Sequence, residues 1–149
     1  MNMKDDSTGT KVLVVEDDSN WMEKITKYLR EEGFMVFQET SYGSARRTIQ
    51  SRKKQYADLA VIVLDLKLPD GNGMDLLKLI FPLWKREKTK VVIATSTGWD
   101  FEDVVARKYP YYSDFITKDI SDFKGDLIKA VQRAVREREI AKLEFSGES

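Results

Sequence analysis

The chain has 149 residues, 42% of them hydrophobic, with 25 Lys and Arg balancing 25 Asp and Glu. This suits one globular domain with a full core, and gives no global electrostatic case for a nucleic-acid or membrane partner. There is no Cys and no His, which excludes disulfides, thiolate metal sites, Ser-His-Asp and zinc-type chemistry, and a phosphohistidine within this chain. No apolar run reaches the ~18 residues of a membrane span and no signal peptide is visible, so a cytoplasmic protein is expected.

Residues 1–9 are polar and expected to be flexible. Lys11 to Val15 (KVLVV) then form a short buried strand that runs into Glu16, Asp17 and Asp18. Two like charges ~4 Å apart repel by about 4 kcal/mol at an effective dielectric near 20, so three adjacent carboxylates need a reason. Asp18 has one as the N-cap of a helix starting near Trp21. Glu16 and Asp17 remain, as oxygen ligands for a hard cation. Trp21, Met22, Ile25, Tyr28 and Leu29 share one helical face, and Gly33 ends the helix. Phe34 to Phe37 form a second strand. A helix is predicted from Ser44 to Lys54, with Ala45 and Ile49 inward. Its basic flank (Arg46, Arg47, Arg52, Lys53, Lys54) could dock an acidic partner, though such runs are more commonly solvated faces.

Leu59 to Leu64 are six apolar residues in a row, the pattern of a strand buried on both faces of a parallel sheet. The run ends on Asp65, followed by the turn-forming Leu-Pro-Asp-Gly-Asn-Gly. Open α/β sheets place ligands at the carboxyl ends of their strands, which singles out Asp65. A helix opens at Met74, with Leu76, Leu77, Leu79, Ile80, Leu83 and Trp84 on its apolar side. Pro82 predicts a kink, or an end near Ile80. Lys88 to Lys90 read as a polar break. Val91 to Ala94 form a fourth strand, ending in Thr95, Ser96 and Thr97.

A short fourth helix is predicted over Asp100–Lys108, within an aromatic-rich stretch (Trp99, Phe101, Tyr109, Tyr111, Tyr112). Phe115 to Thr117 form a fifth strand, ending in Lys118 and Asp119. Ser121 or Asp122 caps a last helix whose buried stripe is Leu127, Ile128, Val131, Ala134 and Val135. From Arg136 the run RERE reads as a solvated helix end, and Ile140 lies off the stripe as an exposed apolar contact. One domain over residues 10–143 is expected, with residues 144–149 flexible and no output domain.

Strands and helices alternate five times with short links, the mark of a doubly wound α/β fold with helices on both faces of a five-stranded parallel sheet. In the flavodoxin-like strand order 2-1-3-4-5, the topological switch point lies beside strands one and three. The strand ends then aim Glu16, Asp17, Asp65, Thr95 and Lys118 at one place.

In this order, on this pattern, the chain resembles the receiver domain of bacterial two-component response regulators, the CheY-like family. VLVVEDD resembles the family's first strand and acidic pair, VIVLDLKLPDGNG its phosphoacceptor strand and loop, VVIATS the switch-hydroxyl strand, and DFITK the last strand with its Lys. The resemblance implies that Asp65 accepts a phosphoryl group from a phosphohistidine on a sensor kinase or phosphotransfer protein. It implies Mg²⁺ held by Asp17, Asp65 and the backbone carbonyl of Lys67, with Glu16 reaching it directly or through water. Lys118 would contact the phosphate, Thr95 would be the switch hydroxyl and Phe115 the switch aromatic. The face of the fourth helix, fifth strand and fifth helix would then change shape for a downstream effector or a phosphorylation-dependent homodimer.

Asp119 departs from the family's usual Pro, so a trans peptide is expected there, with a negative charge beside Lys118. Lys67 and Thr97 occupy positions expected to tune hydrolysis. A phosphatase of the haloacid-dehalogenase type would need an acid where Lys67 stands. A flavodoxin-type binder would need a phosphate-cradling loop where the acidic cluster stands. The alternative that remains is a pseudo-receiver, a protein-interaction module that works without phosphorylation.

Overall fold

The computed structural model describes residues 9–96, 113–119 and 122–146. The chain runs β1 (Lys11–Val15), α1 (Ser19–Glu31), β2 (Met35–Glu39), α2 (Tyr42–Ile49) and β3 (Leu59–Leu64). A small antiparallel pair follows, β4 (Lys67–Leu68) and β5 (Gly71–Asn72), and then α3 (Gly73–Glu87), β6 (Lys90–Thr95), β7 (Ser113–Thr117) and a C-terminal helix (Phe123–Ser146). The five long strands are parallel, in the order β2-β1-β3-β6-β7. Counted over those strands this is 2-1-3-4-5, as the sequence predicts.

Alternate strand residues point to opposite faces, and both faces are covered. Val12, Val14, Val61, Val63 and Val92 pack under Ile25 and Leu29 of α1 and Leu127 and Val131 of the C-terminal helix. Leu13, Val15, Ile62, Leu64, Val91 and Ile93 pack under Ala45 and Ile49 of α2 and Leu76, Leu77 and Ile80 of α3. All six residues of β3 are buried, which is why that stretch reads as an unbroken apolar run rather than an alternating one.

The helix ends follow local chemistry. Asp18 accepts from the amides of Asn20 and Trp21, Ser41 from Ser44, Asn72 from Met74 and Asp122 from Gly125. Gly33 takes φ 93° just past α1, where a side chain would be strained.

Several expectations are corrected. The second helix stops at Ile49, not Lys54. The next positions on its buried face are Arg52 and Lys53, which give a further turn no apolar support. Pro82 does not end α3, which runs on to Glu87. Pro82 and Lys78, whose carbonyl loses its partner, both lie on the exposed side, while Ile80 and Leu83 stay buried. Water can satisfy the freed carbonyl there.

Nor is 88–90 simply a polar break. Thr89 is buried and donates its hydroxyl to the Leu59 carbonyl at 2.7 Å. Lys90 is a buried strand residue, its Nζ 3.7 Å from Glu137 and 5.6 Å from the Trp84 ring. The RERE run is not wholly solvated either. Arg138 is 3% exposed, four residues past Ala134 on the buried stripe. Its Nε donates to the Glu87 carbonyl at 3.2 Å and its Nη2 pairs with Asp58. One guanidinium thus joins the C-terminal helix to the end of α3 and the approach to β3. Ile140 is 55% exposed, as expected, and the helix continues past the predicted boundary at 143 to Ser146.

Burial raises the pKa of Asp58, but the Arg138 hydrogen bond and charge, with Lys142 and Lys11, outweigh it and hold the carboxyl below its ordinary value. A depressed carboxylate contributes stability above its unfolded pKa of ~4 and loses it as pH falls through the folded value. Arg138→Met keeps the apolar stem and removes the hydrogen bonds. It is expected to lower unfolding stability by about 1–2 kcal/mol at neutral pH. In urea titrations, the gap from the native chain should narrow as the solution is acidified below pH ~4.

Candidate functional site

The carboxyl ends of β1, β3, β6 and β7 lie along one edge of the sheet, and the ladders run one residue past the strands. Glu16 donates its amide to the Glu39 carbonyl (3.0 Å), Asp65 to Val15 (3.0 Å) and Lys118 to Thr95 (3.1 Å). Glu16, Asp65 and Lys118 are therefore fixed by sheet hydrogen bonding at their backbones.

The side chains converge. Lys118 Nζ donates to Glu16 Oε1 and, at 3.1 Å, to Asp65 Oδ2. The other oxygens also have partners: Asp65 Oδ1 accepts from the Lys67 amide at 3.1 Å and Glu16 Oε2 from the Asp18 amide at 3.1 Å. Glu16, Asp65 and Lys118 are 1%, 7% and 6% exposed, while Asp17 is exposed. Glu16, Asp17 and Asp65 each offer an oxygen, and these atoms lie within 4.8 Å of one another.

Thr95 is fully buried at the end of β6. Phe115 is half-buried on β7, paired with Ile93 and packed against the core on the α2 and α3 side. The Lys67 side chain is exposed, and its amide faces Asp65. Asp119 is exposed, and the peptide joining it to Lys118 is trans, as expected. Thr97, the predicted helix over 100–108 and the aromatics Trp99, Phe101, Tyr109, Tyr111 and Tyr112 lie outside the described residues.

Two contributors escaped the sequence. By its spacing Trp21 belongs to the apolar face of α1, yet its ring centre lies 5.2 Å from Lys118 Nζ. Asp70, in the turn joining β4 to β5, accepts from the amides of Tyr42 (2.7 Å) and Gly43 (2.9 Å) at the start of α2. The Gly43 amide, then that of Tyr42, holds the Asp70 carboxyl below its ordinary value. Asp-Gly marked a turn, but nothing local named its partner.

Burial is the largest influence on Glu16 and pushes its carboxyl up to about 7. The hydrogen bonds from Lys118 and the Asp18 amide oppose that rise, and the neighbouring Asp65 charge adds to it.

Residues 12–132 match the family model for the response regulator receiver domain. The chain belongs to the response regulator receiver family. Receiver domains are phosphoacceptor signalling modules of two-component systems and partner with histidine kinases. Among curated relatives, this receiver is 32% identical over 126 residues to the phosphate regulon transcriptional regulatory protein PhoB of Klebsiella pneumoniae, a match covering 84% of this chain and 52% of that one. It is 29% identical over 87 residues to the photosynthetic apparatus regulatory protein RegA of Cereibacter sphaeroides, covering 58% and 44%. The chain spans about half the length of the curated relatives it matches. Among solved structures, the signal receiver domain of a LuxO repressor protein from Vibrio parahaemolyticus is similar at TM-score 0.73 and 26% identity, covering 91% of this chain and 96% of that one. A CheY-like receiver domain from Methanospirillum hungatei shares the fold at TM-score 0.73 and 22% identity, covering 90% and 99%. With the family established, the phosphatase and flavodoxin-type readings fall away.

A raised carboxyl binds its proton more tightly in the folded chain than in the unfolded one. Stability attached to Glu16 is therefore complete below pH ~4.5 and lost as pH rises toward 7. In metal-free buffer, the native chain is expected to lose on the order of 2–3 kcal/mol across that window, and Glu16→Gln is expected to remove the slope. Denaturant titrations at pH 5, 6 and 8 measure both; equal slopes would contradict the assignment.

Proposed function

We propose that this receiver accepts a phosphoryl group on Asp65, in the presence of Mg²⁺, from the phosphohistidine of a sensor kinase or phosphotransfer protein. The observation that carries the reading is the Lys118 ammonium bonded to the Asp65 carboxylate inside a group of three carboxylates.

The donor set suits a hard dication. It is all oxygen, and three carboxylates against one ammonium leave two net negative charges when all are ionised. Glu16, Asp17 and Asp65, with the Lys67 carbonyl, would hold the ion. Bound there, Mg²⁺ would supply charge neutralisation for the incoming phosphoryl oxygens.

The remaining chemistry belongs to the chain. An Asp65 oxygen attacks phosphorus; the P–O bond forms as the donor's P–N bond breaks, and the electron pair leaves with the imidazole. A carboxylate nucleophile needs no general base, so the absence of His is no obstacle. Lys118 moves its hydrogen bond from the carboxylate to a phosphoryl oxygen, holding it as a compact point charge. The Lys67 amide keeps Asp65 oriented from the other side. Thr95 supplies the switch hydroxyl and Phe115 the switch aromatic, changing the face presented to an effector or a second copy. Phosphate biases that equilibrium only through its differential contacts with the two states. The setting consistent with such donors is the cytoplasm, with proteins rather than nucleic acid or membrane as direct partners.

A second reading, a phosphorylation-independent pseudo-receiver, is favoured by one observation: an acidic residue, Asp119, follows Lys118 in the chain. Intact mass after incubation with Mg²⁺ and an acyl phosphate or phosphoramidate separates the two. One added phosphate is expected, lost in Asp65→Asn and with a chelator. Lys118→Ala is expected to slow its formation at least ~10-fold, the loss of one charge-assisted contact. A folded native chain that takes up no phosphate from any donor would sink the proposal and leave the pseudo-receiver.

A further inference from the structure

We infer that Trp21 is a positioning residue for this transfer: its indole holds the Lys118 ammonium in line with Asp65. The inference rests on the phosphoacceptor reading above. Lys118 has three N–H donors. Glu16 and Asp65 take two. Among the described residues, the remaining contact of the ammonium is the Trp21 ring, 5.2 Å from Nζ to the centroid. That is inside the ~6 Å at which an aromatic face attracts a cation, and the attraction grows when the cation is desolvated. Lys118 is buried.

The ring itself is fixed. The Trp21 amide donates to the Asp18 cap at 3.0 Å, setting the residue in the first turn of α1. The indole meets Phe123 edge-on, with centroids 4.9 Å apart at 71°, an arrangement aromatic pairs favour. Phe123 opens the C-terminal helix, so two helices lock one ring beside one ammonium.

The contact matters because the other two partners have a second use. Glu16 and Asp65 are also among the carboxylates that would hold a cation, and an oxygen that turned to it would loosen its hold on Lys118. The indole is not an oxygen ligand, so a hard cation would not draw it away from Lys118. It keeps the ammonium near Asp65 while the carboxylates change partners. A purely structural Trp21 would fill the gap beside Phe123 and affect stability alone.

Fluorinated tryptophans distinguish the two roles, because fluorine drains charge from the aromatic face with little change of shape. Mono-, di- and trifluorotryptophan are placed at position 21 of the full chain, and Asp65 phosphorylation by an acyl phosphate with Mg²⁺ is timed by intact mass. The rate is expected to fall stepwise, to roughly a third to a tenth at the trifluoro ring, with the melting temperature unchanged. Trp21→Phe should retain part of the rate that Trp21→Leu loses. Lys24 Nζ also lies 5.0 Å from this ring, so the series is repeated in Lys24→Gln, where the same slope is expected.

A flat series, a slope that vanishes in Lys24→Gln, or equal rates in the Phe and Leu variants overturns the role. So does the absence of a ring-current shift at the Lys118 ε-methylene in NMR spectra of the native chain. If the native chain takes up no phosphate, the phosphoacceptor reading itself falls, and Trp21's role in transfer falls with it. If phosphate is taken up and the series is flat, only the Trp21 inference falls.

Discussion

One ammonium stands between two buried carboxylates, and the edge of the sheet depends on it. Glu16 and Asp65 lie almost out of water at the ends of adjacent strands. Without Lys118 their charges would be desolvated and mutually repulsive, each at a cost of several kcal/mol. Lys118 comes from the far side of the sheet: β6 lies between β3 and β7. Strands are spaced about 4.8 Å apart, so β7 is roughly 10 Å from β3. Only a long side chain crosses that gap, and the backbone that launches it is held by the Thr95 carbonyl. The strand order, the choice of lysine and the acidic cluster are thus parts of one electrostatic arrangement.

The arrangement was legible in the sequence to the extent that it is local. Buried parallel strands announce themselves as apolar runs, and in this chain the chemistry sits at the residues where those runs stop. Asp65 after LAVIVL, the acids after KVLVV and Lys118 after DFIT could be placed without knowing what they touch. A single fold pattern then brings them together: alternation gives the doubly wound class, and the family resemblance gives the strand order that the structure shows. Asp18 could likewise be separated from its neighbours because capping is decided within three residues.

What stayed hidden depends on partners distant in sequence. Arg138 looks solvated in RERE and Lys90 looks like loop, yet both are buried where another element supplies an acceptor or a carboxylate. Pro82 breaks helices in isolation. Here its lost hydrogen bond falls on the wet side, while the dry side of α3 keeps its core contacts. Asp70 signals a turn, and nothing nearby in the chain shows that its carboxylate closes the start of α2. Trp21 fits an apolar stripe so well that its second contact, with a cation from the other end of the chain, leaves no trace in periodicity.

The hidden contacts are unevenly spread around the site. On the β3 side the backbone is crowded and tied. A Cβ on Gly73 would sit 2.6 Å from Leu66 Cα and 2.7 Å from the Asp65 carbonyl oxygen, and one on Gly71 would lie 2.6 Å from Tyr42 Cγ. Asp70 fastens the same turn to α2, and the Lys67 amide fastens Asp65 to the turn. On the β7 side, Phe115 is only half-buried and packs at the margin of its core cluster. Packed elements shift between discrete arrangements rather than deforming smoothly. A change in charge at Asp65 therefore meets a stiff wall toward α2 and α3, whereas Phe115 on β7 is held on one side only. Within the proposed phosphoacceptor function, this asymmetry would favour a route through Phe115 over one through the loop that carries Asp65.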